Sequence, residues 1–227
     1  MKEVVEFLRR LHDHNERPWF EAHRAEWLEL QARIHAFAGG LIEGIASFDP
    51  SVEGLTVKDC TYRIYRDVRF SRDKSPYKTW HGIFVAPHGK KAGYAGYYFH
   101  LEGAAEEGLL GGHLLYAGLH LPHPTVLRSV REEIVDNGAE FAANIRRAEG
   151  FALDESQKLR RTPAGFPNDT PYDDLLRLKE VALCRSVDDA FLAGDDLLER
   201  TLAEFRKTAP FVQQLNRAVQ YAYEEMM

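Results

Sequence analysis

Apolar residues recur every three or four positions over the first fifty residues, every second position through the middle, and every three or four again toward the end. Val4, Phe7, Leu8 and Leu11 follow the first spacing, which predicts a short amphipathic helix. Asn15 and Pro18 then punctuate the chain, and proline is tolerated in a first helical turn, so a second helix can begin there. Trp27, Leu30, Ile34, Phe37, Leu41, Ile45 and Phe48 form one apolar stripe that Asp49-Pro50 terminates. Gly39-Gly40 lies inside that stripe and weakens the helix unless a neighbour packs closely against it.

From Thr61 the period shortens. Residues 62–66 read as a strand followed by a charged loop through Pro76, and residues 82–87, 94–102 and 109–116 read as three more. The turns fall at residues 88–91 and 102–108, and connections this short predict an antiparallel meander. Val126, Leu127, Val130, Ile134 and Val135 restore helical spacing, with a second short helix at residues 141–147. Residues 158–171 are irregular, residues 181–184 suggest an edge strand, and residues 197–207 and 211–223 suggest two closing helices. The expectation is an α+β fold: an antiparallel sheet of about four to five strands, flanked by N-terminal and C-terminal helices, in one domain over residues 1–227.

Composition narrows the function classes. The 227 residues are 44% hydrophobic, which supports a packed core over disorder, and the net charge of -6 argues against the whole chain clinging to nucleic acid or an anionic membrane. Acids interrupt the N-terminus, and no run reaches the ~18 to 20 apolar residues that span a bilayer. Cys60 and Cys184 form neither a zinc set nor a disulfide framework, so a reducing, cytoplasmic setting is expected, with no membrane. The phosphate-binding, nucleophile-elbow, zinc-protease and dinucleotide glycine motifs are absent. His12-Asp13-His14 sits at a helix end, where histidine interacts well with the dipole, and His120 and His123 lack a nearby thiolate or carboxylate, so neither metal nor cofactor is expected. On the strand at 94–102, Tyr98, His100 and Glu102 share one face and Tyr97, Phe99 and Leu101 the other. That polar strip either lines a pocket or is the wet face of the sheet.

Charge is concentrated in one place. Residues 58–78 hold seven basic side chains against three acids, a local net of +4 in an acidic chain. Arginine presents a planar fork suited to carboxylate or phosphate, and Tyr62, Tyr65, Phe70 and Tyr77 interleave with the cations as stacking surfaces. Two like charges ~4 Å apart repel by roughly 4 kcal/mol at an effective dielectric near 20, so a convergent cluster needs anions. Those anions belong either to a ligand or to the protein, in which case the arginines are a structural ion-pair network with Asp67 holding Arg63 or Arg69.

Arg63-Ile64-Tyr65-Arg66-Asp67, Arg69-Phe70-Ser71, Asp73-Lys74 and Pro76-Tyr77-Lys78 together resemble the signature of the DUF2461 family. The likeness extends to Phe7-Leu8, to the stretch from Asn15 to Phe20, to Gly96-Tyr97-Tyr98 with His100, to Gly111-Gly112, and to Leu159-Arg160-Arg161 with Pro163 and Gly165-Phe166. Val68 stands where the family commonly has threonine, and Trp80-His81 occupies a variable position. The resemblance implies one full-length domain and carries no chemistry.

The functional expectation therefore comes from the residues. Arg63, Tyr65, Arg66, Asp67, Arg69, Lys74, Tyr77 and Lys78 bind a phosphorylated or carboxylated small molecule, with His100 or Tyr65 as acid or base and Lys158, Arg160 and Arg161 closing over it. The alternative is a non-catalytic module whose basic segment docks an acidic protein or nucleic acid, and the acidic remainder of the chain argues against nucleic acid.

Overall fold

The computed structural model describes residues 1–104 and 110–226. Three helices open the chain: α1 (Lys2–Asp13), α2 (Arg17–Ala22, with its proline in the first turn) and α3 (Arg24–Ala46). A 3-10 turn at Pro50–Val52 and the short α4 (Val57–Cys60) follow. The strands are β1 (Trp80–Val85), β2 (Gly96–Glu102) and β3 (Leu114–Leu119). After α5 (Pro124–Arg147) come β4 (Ala152–Leu153), α6 (Asp173–Leu176), β5 (Val181–Ser186), α7 (Asp189–Leu192) and α8 (Leu197–Glu225). All strand pairs are antiparallel, in the order β1-β2-β3-β5-β4. The expectation of an α+β fold with an antiparallel sheet of about four to five strands, flanked by N-terminal and C-terminal helices, is met with five strands.

The apolar stripe of α3 buries Trp27, Leu30, Ile34, Leu41 and Ile45, and Gly40 and Gly44 have a packing reason, whereas Gly39 has open space where a Cβ would be. A Cβ at Gly40 would meet Leu198 at 2.6 Å and one at Gly44 would meet Leu202 at 2.3 Å, so α3 and α8 touch where α3 lacks side chains. Inside the sheet Phe99 packs on Phe37 and Tyr97 on Phe205, which places the helices on the Tyr97–Phe99–Leu101 face. The Tyr97 hydroxyl donates to buried Asp49 at 2.8 Å, and Asp49 also accepts from the Ser51 hydroxyl at 2.6 Å. Tyr97→Phe removes the donor that is buried with that carboxylate, and chemical denaturation is expected to show a loss of about 1 to 3 kcal/mol.

Four sequence expectations need correction. Residues 62–66 do not join the sheet as a strand. Their backbone groups bond to the chain that follows, Arg66 N–H to the Pro76 carbonyl (2.9 Å) and Lys78 N–H to the Ile64 carbonyl (2.8 Å), which leaves only isolated bridges from Thr61 to Ile83 and from Tyr65 to Tyr77. The strand expected at the edge from residue 181 lies between β3 and the two-residue β4. Pro210 does not divide the last helix, which runs unbroken through it. The two helices expected after Pro124 are one, bent at Asn137 beside Gly138, where a Cβ would meet the Tyr172 ring at 2.3 Å. Of the strand expected at 109–116, residues 110–113 are not strand and β3 begins only at Leu114, while residue 109 and most of the preceding turn lie outside the described residues.

Candidate functional site

Alternation places Trp80, Gly82 and Phe84 of β1, Tyr98, His100 and Glu102 of β2, and Leu114 and Tyr116 of β3 on the outer face of the sheet, opposite the helices. Trp80, Phe84, Tyr98 and Leu114 remain half-buried, whereas His100 and Glu102 are fully covered. The expected polar strip is therefore a buried row. His100 Nε2 faces the Glu102 carboxylate at 2.9 Å, and the Tyr98 hydroxyl faces His100 Nδ1 at 2.9 Å. A carboxylate only accepts, so the proton sits on Nε2 and Nδ1 accepts from Tyr98. The Glu102 backbone N–H donates to His113 Nδ1 (3.0 Å), whose Nε2 donates to Asp189 (3.1 Å), a carboxylate also held by Arg9.

Gly82 makes this row fit. A Cβ there would lie 2.4 Å from the Tyr98 ring and from its hydroxyl, so the phenol rests across β1 in space that only glycine leaves. Burial, with Tyr62 and Glu102 nearby, holds the Tyr98 phenol above its ordinary range, so it is a neutral donor at rest.

The basic segment arrives beside this row but does not converge as a cluster of arginines. Arg66 pairs with Asp73. Arg69 forks onto Asp67 at 2.6 and 2.9 Å, and this bond pulls the Asp67 carboxyl down to about 2. Asp73 is lowered as well, first by the Ser75 hydroxyl and backbone and then by Arg66. Lys74 donates to the Val68 carbonyl at 2.9 Å. Tyr77 stacks on Phe20 at 4.0 Å within the core, and its backbone is bridged by the Asn15 side chain. Tyr65 is half exposed beside the same rings, away from the His100 row. Lys158 is occupied by Glu155 and Asp174.

Lys78 and Arg63 have no carboxylate within ion-pair distance among the described residues; Lys78 packs against the row through Trp80, and the charge of Arg63 acts on Lys78. Half-buried Lys78 lies over Trp80 at 4.7 Å and Tyr62 at 5.5 Å, and Trp80 packs 5.6 Å from His100. Burial and then the charge of Arg63 depress the Lys78 ammonium below its ordinary value. Lys90 approaches Tyr62 from another side, at 5.7 Å. Cavities of about 630 Å³ beside Tyr94 and Tyr223, and of about 430 Å³ beside Arg131 and Phe166, involve no residue of the basic segment.

Trp80 and Gly82 escaped sequence reasoning because neither stands out as chemistry. Only the register that sets Gly82 opposite His100 reveals their part. The remaining candidates are structural. Cys60 and Cys184 are pushed up by burial to about 11 and about 12, and among the described residues neither thiol has a hydrogen-bonded base to take its proton, which makes them poor nucleophiles near neutral pH. His123 caps α5 by accepting from the Thr125 N–H, and His120 pairs with Glu180. Among the described residues no group of three His, Cys, Asp or Glu could hold a metal ion, and no helix is long and apolar enough to cross a membrane.

A family model described as "Conserved hypothetical protein (DUF2461)" matches residues 3–213. No curated protein and no solved structure matches the chain.

Proposed function

Because the chain belongs to the DUF2461 family, whose description names no activity, we propose from its geometry that it binds an anionic small molecule, phosphorylated or carboxylated, at the corner of Arg63, Lys78, Tyr62 and Trp80. The observation that carries this reading is Lys78, a half-buried cation whose charged neighbour is another cation and which has aromatic rings where a carboxylate would be expected. Burying a charge is costly unless it is paired, and an incoming anion supplies the pair. Of the three acids of the segment, Asp73 pairs with Arg66, Asp67 with Arg69, and Asp59 accepts from Thr56, so none is paired with Lys78.

The test is thermal shift with inorganic phosphate, pyrophosphate, citrate and a panel of sugar phosphates, followed by Lys78→Met. Wild type is expected to gain melting temperature with at least one of these anions. The variant is expected to be equal or higher in stability without ligand, since a cation–cation repulsion is gone. Its affinity falls about 10- to 100-fold, the cost of one charge-assisted hydrogen bond. Absence of any shift in wild type refutes the reading.

A second reading rests on Phe70, which is 95% exposed at the tip of the basic loop with Arg69 over its ring. A loop tied by its own ion pairs that presents a bare aromatic suits docking to an acidic partner protein. Phe70→Ser would weaken such docking and leave anion-induced shifts intact.

A further inference from the structure

We propose that Tyr98, His100 and Glu102 form a nucleophilic relay whose working atom is the Tyr98 oxygen, and that its substrates are esters also bearing the carboxylate or phosphate held at Arg63 and Lys78. The second half rests on the anion reading above; the first does not.

The geometry supplies the parts that an activated hydroxyl requires. The hydroxyl hydrogen points at an imidazole nitrogen 2.9 Å away, and the opposite nitrogen of that ring is fixed 2.9 Å from a buried carboxylate. The order is base-orienter, base, nucleophile, laid along alternate residues of one strand. A carboxylate removed from water is expensive and is offset only by well-made bonds, so its placement behind His100 needs a reason. Stabilising an imidazolium that forms transiently is such a reason. Tyr98 is the half-buried end of the row, while His100 and Glu102 are fully covered, so the relay reaches solvent through the phenol. Tyr62 and Trp80 connect that end to the cationic corner, with Trp80 touching both the Lys78 ammonium and the His100 ring.

In the proposed step the Tyr98 oxygen attacks the acyl carbon of the bound ester and its proton passes to His100 Nδ1. The carbon–oxygen bond to the leaving alcohol breaks, and His100 returns the proton to that alcohol. The aryl ester on Tyr98 is then hydrolysed by water, with His100 again taking the proton. Glu102 holds the Nε2–H throughout. No oxidant, reductant or further co-reactant is needed.

Two covalent probes test this: neutral benzenesulfonyl fluoride and anionic 4-(fluorosulfonyl)benzoate. In each, the tyrosine oxygen bonds to sulfur, fluoride leaves and the proton goes to His100. Mass-spectrometric mapping is expected to find Tyr98 modified by both, about tenfold faster by the anionic probe, with that advantage lost in Lys78→Met. His100→Gln and Glu102→Gln should slow labelling at least tenfold. Gly82→Ala should do the same by lifting the phenol away from Nδ1 while leaving every reacting group in place. Circular dichroism of each variant confirms that it is folded. Labelling of Tyr98 by both probes at equal rates keeps the relay and overturns the anion corner. Failure of both probes at Tyr98, or labelling indifferent to His100→Gln in the folded variant, overturns the relay, while phosphate-induced thermal shifts report on the corner independently.

Discussion

Gly118→Ala is expected to destabilise the protein by about 3 to 5 kcal/mol, summing the usual costs of backbone strain and of overpacking. Gly118 has φ +145°, a conformation that side chains with a Cβ rarely adopt. A Cβ added there would sit 2.4 Å from the Val181 carbonyl oxygen and 2.6 Å from the Ala182 Cα. These are backbone atoms of β5, so no rotamer change relieves the contact; β3 and β5 must separate at the centre of the sheet. Gly111→Ala is the control, because that glycine also has positive φ (+74°) but has nothing within 4 Å. Its loss should stay near ~1 kcal/mol. Urea denaturation of the two variants checks the difference, and similar losses would show that conformational strain alone sets both.

Acid should weaken the fold well before the carboxylates titrate, through His81. This imidazole lies on the helix-facing side of β1 near Trp27. Burial, followed by the charges of Lys78 and His35, lowers it to about 4, and a backbone hydrogen bond with Tyr62 offsets that only in part. An unfolded histidine titrates near ~6.5. Between these values the unfolded chain takes up a proton that the folded chain refuses. The contribution of neutral His81 is therefore complete above about pH 6.5, declines as pH falls, and is gone near pH 4. The full span is about 3 kcal/mol at 1.36 kcal/mol per unit, and roughly 2 kcal/mol is lost by pH 5. Buried His113, also lowered by burial despite Asp189, acts in the same direction. Stability of wild type and His81→Gln should be compared between pH 7.5 and 4.5. The gap between them is expected to shrink by most of that amount, and a gap independent of pH would show that His81 keeps its ordinary affinity for protons.

The sequence was most legible where periodicity acts alone. The α3 stripe, the β2 alternation that isolates His100, and the general meander follow from local spacing. Residues 62–66 misled because alternating aromatic and basic residues imitate a strand, whereas Asp67, Asp73 and Ser75 fix tight turns that fold the chain back on itself. The same local turns decide which cations remain unpaired. Arg69 finds an acid two residues away and Arg66 one seven residues away, while Lys78 finds rings supplied by Tyr62 and Trp80. Charge counting sees the excess of cations, but only the path of the backbone distributes their partners. Gly82 was invisible for a related reason: its contribution is an empty volume that matters once β1 and β2 are in register.

The sheet order leaves β1 outermost on one side, and the other margin is the two-residue β4, too short to recruit a neighbour. Along β1 the bridge from Thr61 to Ile83 occupies part of the open row of amides and carbonyls. The segment that opens at Thr61 and leads into the basic loop thus shields part of a margin that would otherwise template strand-by-strand association between molecules. Sequence changes that unfasten its turns would first appear as aggregation, ahead of any loss of helical content.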